Sequence, residues 1–489
     1  MTVEPTPTTD LVTGLVIDGE TVATTETIPV HDPSRPETVV GWAAAATPED
    51  CEHAVAAAQR AFTGWAARSA PERAELVLAA LGPLAGSAAA RAELLTRENG
   101  KILGESQIDL AVFEGRSRVA AALAEGFESL TTLPAPPFDT RIHRVATGVV
   151  TVIVPFNWPL AILGASLPYA LIAGNTAVVK PPPTAPLAMA ETLRVLARGL
   201  PPGVLNVVTG RDDAVRPLLT DPRVQRVVFT GSTAGGRAVM SLASQSLAKV
   251  TLELGGNDPA ILLDDVRLDE STAGALAAAA FMTTGQVCMA VKRVYVPRSR
   301  HAELVEAMGS ALDGQRVGNG LDSGTTMGPM NTARQRDIVG EMLDQARAKG
   351  AEVREYGSVD EDAVAAGGHY LRPALVLDPA EDLRVVTEEQ FGPALPILAY
   401  DDLDSLVERL NSEWSGLCSS VWSADLDRAA AVAAGLRTGT TWINQANASA
   451  CDDRAPFGGF RQSGVDREMG PEGLLDFTET HVVTAPASA

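Results

Sequence analysis

The sequence predicts an α/β protein built on a doubly wound, mostly parallel sheet. Three observations carry that prediction. Short, almost wholly apolar, β-branched runs, such as Gly148-Val149-Val150-Thr151-Val152-Ile153-Val154, are the mark of buried parallel strands. They alternate with helix-length segments at the spacing of βαβ units. The residues just past these runs are chemically unusual, and the carboxyl ends of the strands are where ligands bind on such sheets.

The totals set the limits. A chain of 489 residues, 46% hydrophobic and 20% charged, is an ordinary globular composition with material for two or three domains. A formal net charge of −22 argues against non-specific binding to nucleic acid or to an anionic membrane surface. Four cysteines, Cys51, Cys288, Cys418 and Cys451, are scattered with no metal-ligand spacing, as suits a reducing cytoplasm; no metal centre is expected. The opening Met1-Thr2-Val3-Glu4-Pro5 lacks the basic start and apolar run of a signal peptide and reads as a short flexible arm. The apolar segment Gly148 to Val179 is interrupted by Pro155, Asn157, Pro159, Pro168 and Asn175, so no clean span of about 20 residues crosses a membrane.

In chain order, Thr47-Pro48-Glu49-Asp50 has the form of a helix start, with a capping Thr, Pro at the first position and acids in the first turn. Val55, Ala58, Phe62 and Trp65 follow on one helical face. Arg73 to Leu84 and Ala88 to Leu103 continue with helical composition, and the whole region is expected to be packing without chemistry. Thr140 to Val145 alternates like a half-exposed strand, as does Thr478 to Thr484. Two such isolated strands pair with each other or with a partner subunit. Between them lie the strand from Gly148 and a helix from Leu160 to Ala173. The strand Thr176-Ala177-Val178-Val179 and a helix from Leu187 to Leu200 come next, followed by strands at Leu205 to Val208, Arg226 to Phe229, and Leu252-Glu253.

The strand ends hold the candidate chemistry. Pro155-Phe156-Asn157-Trp158-Pro159 boxes an Asn between prolines and aromatics; its amide could donate to a developing oxyanion, or simply form a turn. Lys180-Pro181-Pro182-Pro183 sets a cation at a stiff turn. Phe229-Thr230-Gly231-Ser232-Thr233-Ala234-Gly235-Gly236 suits phosphate binding at a helix N-terminus, though it is neither the dinucleotide fingerprint nor a P-loop. Glu253 lies inside an apolar strand, where a carboxylate is costly unless partnered or functional; burial would raise it toward the range of a general base. Cys288, in Gly285-Gln286-Val287-Cys288, has no Cys or His nearby in sequence. It is a buried structural thiol or a nucleophile that needs an activating environment. None of the six histidines sits in a comparable motif, so a Cys with a Glu base fits better than a Cys/His dyad.

These segments, together with Glu388-Glu389-Gln390-Phe391-Gly392-Pro393 and Pro456-Phe457-Gly458-Gly459-Phe460-Arg461-Gln462-Ser463-Gly464, stand in the order used by aldehyde dehydrogenases. The chain resembles that family from the first expected helix to the final strand. The resemblance implies that Cys288 attacks an aldehyde carbonyl and that the oxyanion is held by Asn157 and the Cys288 N–H. Hydride transfer to the nicotinamide then leaves a thioester, which water activated by Glu253 hydrolyses. It also implies a dinucleotide site at Pro155, Phe156, Lys180, Pro183, Gly210, Phe229, Gly231, Ser232, Gly236, Leu254, Glu389 and Phe391. An aldehyde tunnel is implied at Trp158, Leu163, Met289 and Phe457. The small Ala165 suggests a roomy, apolar entrance for medium-chain or aromatic aldehydes, with Cys451 nearby.

One position departs from the family. Many NAD-preferring relatives carry a Glu three residues after the Lys, whereas Pro183 stands there and would not repel a 2′-phosphate. The expected cofactor is NAD, with NADP tolerated. A CoA-acylating relative generally lacks the Glu of the Leu252-Glu253-Leu254 strand, so Glu253 argues against it. A non-catalytic relative would be signalled by loss of Cys288, Glu253 or Asn157, and a plain thiol esterase needs no nucleotide pocket. By resemblance, residues 1–126 with 147–254 form a Rossmann-like cofactor domain and 255–465 the α/β catalytic domain. Residues 127–146 with 466–489 form a small oligomerisation sheet serving a homodimer or homotetramer, in a cytoplasmic enzyme.

Overall fold

The computed structural model describes residues 11–127, 130–135 and 137–486; the arm expected at Met1 to Pro5 lies outside them. Five parallel strands form the centre of an eight-stranded sheet, in the spatial order Lys249–Glu253, Val224–Thr230, Val149–Ile153, Thr176–Lys180, Leu205–Val207. Every residue of Val149–Ile153 and of Thr176–Lys180 is buried, as strands covered by helices on both faces must be. From Val149–Ile153 the chain steps outward on one side, then returns to fill the other. The order therefore reverses between Val149–Ile153 and Val224–Thr230, and a crevice opens at the carboxyl ends of those two strands. Antiparallel strands complete the sheet: Leu15–Ile17 and Glu20–Val22 on one flank, Gly464–Val465 beside Leu252 and Glu253 on the other.

The helices follow from local chemistry. Pro48–Ala66 starts with a reciprocal capping box between Thr47 and Asp50. Pro159–Ala173 opens on a proline, is apolar all round and is almost entirely buried, and it stops at Gly174, whose φ of +104° only glycine adopts freely. The stretch of helical composition from Ala88 to Leu103 is broken after Asn99. Ala88–Asn99 ends at left-handed Gly100, and Leu103–Ala122 starts afresh.

A second, seven-stranded sheet runs Glu352–Glu355, Ala374–Leu377, Ala394–Tyr400, Arg293–Pro297, Pro259–Leu262, Cys418–Trp422, Thr440–Ile443, parallel except for its first strand. The two isolated strands anticipated from alternation pair with each other: Phe138–Ala146 lies antiparallel to Thr478–Pro486, from Thr478 opposite Ala146 to Pro486 opposite Phe138. Leu130–Ala135 completes that three-stranded sheet. Among the described residues no helix is long and apolar enough to cross a membrane.

Candidate active site

The segment before Cys288 is built against its own backbone preference. After the helix Glu270–Phe281, Thr283, Thr284 and Gly285 all take positive φ, at +51°, +57° and +73°. For a β-branched Thr this is strained, and such strain persists only where the surroundings impose it. Here they do. The Thr283 N–H donates to Glu105 Oε1 at 2.7 Å, and Thr284 Oγ1 donates to the Gly328 carbonyl at 2.8 Å. Gln286 Oε1 accepts from the Asn331 N–H at 3.0 Å. A Cβ on Gly285 would collide with the Gly392 carbonyl, so glycine is needed there.

Asn157 reaches this segment from the end of Val149–Ile153. Its Nδ2 donates to the Gln286 carbonyl at 2.9 Å, which ties the amide to the backbone two residues before Cys288 and leaves a second N–H on the same nitrogen. Two cavities meet at these residues. A cleft of about 590 Å³ is lined by Pro155, Phe156, Asn157, Gly231, Ser232, Glu253, Leu254, Cys288, Glu389 and Phe391, among others. A second cavity of about 240 Å³ is lined by Asn157, Trp158, Ile162, Met289 and Cys288 together with Ile108, Val112, Arg116, Cys451 and Asp453. Cys288 and Asn157 belong to both walls.

Burial dominates the electrostatics. It pushes the Cys288 thiol up to about 12, with Glu389 and Asp258 adding to the rise and Lys292 opposing it. Glu253 is buried with no hydrogen-bond partner on either carboxylate oxygen among the described residues. Its carboxyl stands well above the usual range, first from desolvation and then from the neighbouring Glu468. Gly458 packs directly on it, since a Cβ there would lie 2.8 Å from Glu253 Oε1. Burial raises Glu389 to about 7, against the pull of Lys292.

The larger cleft fits a dinucleotide. The helix Thr233–Ala243 points its N-terminus into it, with Ser232 as the cap accepting from the Gly235 N–H at 3.1 Å. The floor is kept low by glycine: a Cβ on Gly231 would lie 2.6 Å from the Phe229 ring, and one on Gly236 would lie 2.5 Å from Leu254. Glu389 Oε1 is buried with no hydrogen-bond partner among the described residues, as an acceptor for ribose hydroxyls would be, and the Phe156 and Phe391 rings meet edge-on with centroids 6.1 Å apart. Among the described residues no group of His, Cys, Asp and Glu is arranged to hold a metal ion.

Several anticipated residues stand elsewhere. Lys180 is buried beyond the cleft lining and pairs with Asp212 at 3.0 Å, while Pro183 is exposed beside it. Gly210 packs on Val215 and Ala46, and Phe229 and Gly236 lie beneath the cleft floor. Leu163 points into the core, and its neighbour Ile162 faces both cavities. Phe457 packs between the two main cores and is not part of the smaller cavity's wall. The helix Leu103–Ala122, in which no residue stood out in the sequence, supplies Ile108, Val112 and Arg116 to that wall. The wall is mostly apolar, and Arg116 and Asp453 set an ion pair in it: Arg116 Nε donates to Asp453 at 2.8 Å and its Nη2 lies 3.8 Å from Cys451 Sγ.

The chain is similar to known proteins along nearly its whole length. Residues 21–483 match the sequence model of the aldehyde dehydrogenase family. The chain is 34% identical to the chloroplastic betaine aldehyde dehydrogenase of Beta vulgaris over 94% of this chain and 93% of that protein. It is 32% identical to peroxisomal aminoaldehyde dehydrogenase 1 of Malus domestica over 96% and 95%. A crystal structure of betaine aldehyde dehydrogenase from Staphylococcus aureus in complex with NAD+ superposes with a TM-score of 0.92, at 29% identity, over 97% of this chain and 95% of that one. With the family model spanning nearly its whole length, the chain belongs to the aldehyde dehydrogenase family.

Proposed function

We propose that this chain oxidises a neutral aldehyde to its carboxylic acid through Cys288, Asn157 and Glu253, with NAD as hydride acceptor. The observation that carries the reading is the shared wall: one thiol and one amide face both the dinucleotide-sized cleft and the smaller cavity beside it. An aldehyde in the smaller cavity presents its carbonyl carbon to Cys288 Sγ. Attack forms a thiohemiacetal whose oxygen accepts from Asn157 Nδ2 and the Cys288 N–H, donors of a kind worth about 3 kcal/mol each. NAD held in the larger cleft would supply the acceptor for the hydride that leaves the thiohemiacetal carbon, which gives the Cys288 thioester. Glu253 then removes a proton from water as it attacks the thioester, and the acid departs. Glu253 favours hydrolysis over transfer to CoA.

The residues proposed to hold the cofactor are Pro155, Phe156, Gly231, Ser232, Leu254, Glu389 and Phe391, which line the cleft, supported by Lys180, Pro183, Gly210, Phe229 and Gly236 around it. A quaternary ammonium is recognised by an aromatic cage. Trp158 is the aromatic residue lining the smaller cavity among the described residues, and Lys101 Nζ already sits 4.1 Å from its ring centroid. The nearby carboxylate, Asp453, is paired with Arg116. Neutral medium-chain or aromatic aldehydes therefore suit this pocket better than the cationic aldehydes named for the relatives.

The test is an aldehyde panel (hexanal, benzaldehyde, betaine aldehyde) assayed with NAD and NADP by the appearance of reduced nicotinamide, with Cys288→Ala alongside. Oxidation of the neutral aldehydes with loss of activity in Cys288→Ala is expected. Full activity in that variant would overturn the assignment of the nucleophile. The division into a cofactor domain, a catalytic domain and an oligomerisation sheet at the boundaries given above is proposed with it. A cytoplasmic site, supported by four free cysteines, and a homodimer or homotetramer are also proposed.

A further inference from the structure

Lys292 lies four residues beyond Cys288 in the same turn-and-strand segment, and its side chain is 3% exposed. A buried ammonium is costly unless each of its protons is placed. The placement is specific. Nζ donates to the Val287 carbonyl at 2.7 Å and to the Gly285 carbonyl at 3.3 Å. It lies 3.9 Å from Glu389 Oε1 and 5.2 Å from the centroid of the Phe391 ring. The Val287 carbonyl also accepts from the Ala290 N–H at 3.2 Å, and the Lys292 backbone is itself anchored by donation to the Asp258 carbonyl at 2.9 Å.

The Val287 carbonyl and the Cys288 N–H belong to one peptide unit. In a planar trans peptide these two groups point in opposite directions. Whatever grips the carbonyl therefore aims the N–H away from itself. Among the described residues that N–H has no hydrogen-bond partner. Asn157 holds the neighbouring Gln286 carbonyl, so three successive carbonyls, those of Gly285, Gln286 and Val287, are tied by side-chain nitrogens. A cation on the carbonyl side also polarises the peptide and strengthens its N–H as a donor.

We propose that Lys292 is a positioning residue that locks the Val287–Cys288 peptide so that the Cys288 N–H faces the oxygen of the reacting carbonyl. The inference rests on Cys288 being the nucleophile. Its role is distinct from making the thiol reactive, and that distinction makes it testable. Attack on a carbonyl needs an oxyanion donor. Alkylation of the same sulfur by iodoacetamide, a displacement at saturated carbon, does not.

The experiment compares wild type with Lys292→Met and Lys292→Gln on three readouts. These are kcat for aldehyde oxidation with NAD, kcat for hydrolysis of p-nitrophenyl acetate, and the limiting rate of Cys288 alkylation at high pH. The expected result is that Lys292→Met lowers both carbonyl reactions by about 10²-fold, the loss that follows removal of one oxyanion donor. Limiting alkylation should stay within about threefold of wild type. Lys292→Gln, which retains an N–H donor without charge, should recover part of the loss. Carbonyl reactions left intact overturn the proposal, and so does a parallel collapse of all three rates, which marks Lys292 as a packing residue only. If Lys292→Met does not fold, the same criteria applied to Lys292→Gln decide the matter. Ester hydrolysis needs no cofactor, so it tests Lys292 even where the aldehyde panel fails.

Discussion

Glu253 shows how much one side chain depends on its surroundings. Among the described residues its carboxyl has no hydrogen-bond partner, burial strips it of water-like solvation, and Glu468 raises it further. A carboxyl held above its ordinary value keeps its proton where an exposed Glu would be charged, so its capacity as a base grows as pH rises. The kcat of aldehyde oxidation should accordingly fall as pH drops, along a limb lying above the usual carboxylate range. Glu253→Gln should lower kcat by about 10²- to 10⁴-fold and erase that limb, while the first-turnover burst of reduced nicotinamide survives. A burst lost together with kcat would place Glu253 before hydride transfer instead. Cofactor choice is argued at the same scale. Asp212 sets an exposed carboxylate 3.0 Å from Lys180, and with the adenosine ribose proposed to lie at Lys180 it would repel a 2′-phosphate in place of the missing Glu. Asp212→Asn should raise kcat/KM for NADP relative to NAD several-fold, and Pro183→Glu should move the ratio the other way; ratios unchanged in both variants would discard the idea. Asn157 and Glu253 stood out in the sequence as polar side chains in proline-bound and apolar settings, whereas Cys288, a residue type at home in apolar surroundings, stood out only through its place in the family's order of motifs. Asp212 did not, because an exposed acid in a loop looks like any other.

At the scale of elements, helix phase and long-range capping escaped the sequence for physical reasons. The helix Pro159–Ala173 is apolar on every side, so its pattern carries no signal for which face meets the cavity. Ile162 and Leu163 were interchangeable until the fold turned one toward Cys288. The same holds for Arg116, an ordinary helical residue until packing sets it beside Asp453 and Cys451. The doubly wound sheet, by contrast, was readable from β-branched runs alone, because strands buried on both faces tolerate little else. The helix Leu187–Arg198 adds a case of capping at a distance. Pro186, its cap residue, offers no side-chain acceptor, and Glu98 supplies both carboxylate oxygens instead, to the N–H groups of Leu187 at 2.7 Å and Ala188 at 2.8 Å. Those two bonds favour the charged form, although burial drives the carboxyl up to about 8. Glu98→Ala would orphan two buried donors and should cost about 2–3 kcal/mol in urea-denaturation stability while leaving KM for aldehyde near wild type. A variant as stable as wild type would show that water replaces the carboxylate.

The molecule as a whole places its chemistry between two sheets and leaves a third without a core of its own. The antiparallel sheet of Leu130–Ala135, Phe138–Ala146 and Thr478–Pro486 joins segments far apart in sequence. It carries Leu133, Phe138, Val482 and Val483 in the open, with Phe138 at 54% and Val482 at 53% exposed. Its Thr478–Pro486 edge shows unpaired backbone groups among the described residues. Isolated sheets of this size need a packed face or a paired edge to persist in water, and exposed apolar side chains clustered on one element mark an association surface. A net charge of −22 works against close approach of two copies elsewhere on the surface, which concentrates association on this apolar ribbon. For the proposed homodimer or homotetramer, Val482→Asp should therefore shift the mass toward monomer in light scattering, more so at low salt, where the added like charges are least screened. Because the active-site cavities are lined by residues outside this sheet, the dissociated chain should still alkylate at Cys288, even where turnover drops. An assembly of unchanged mass would move the interface to another face of the molecule.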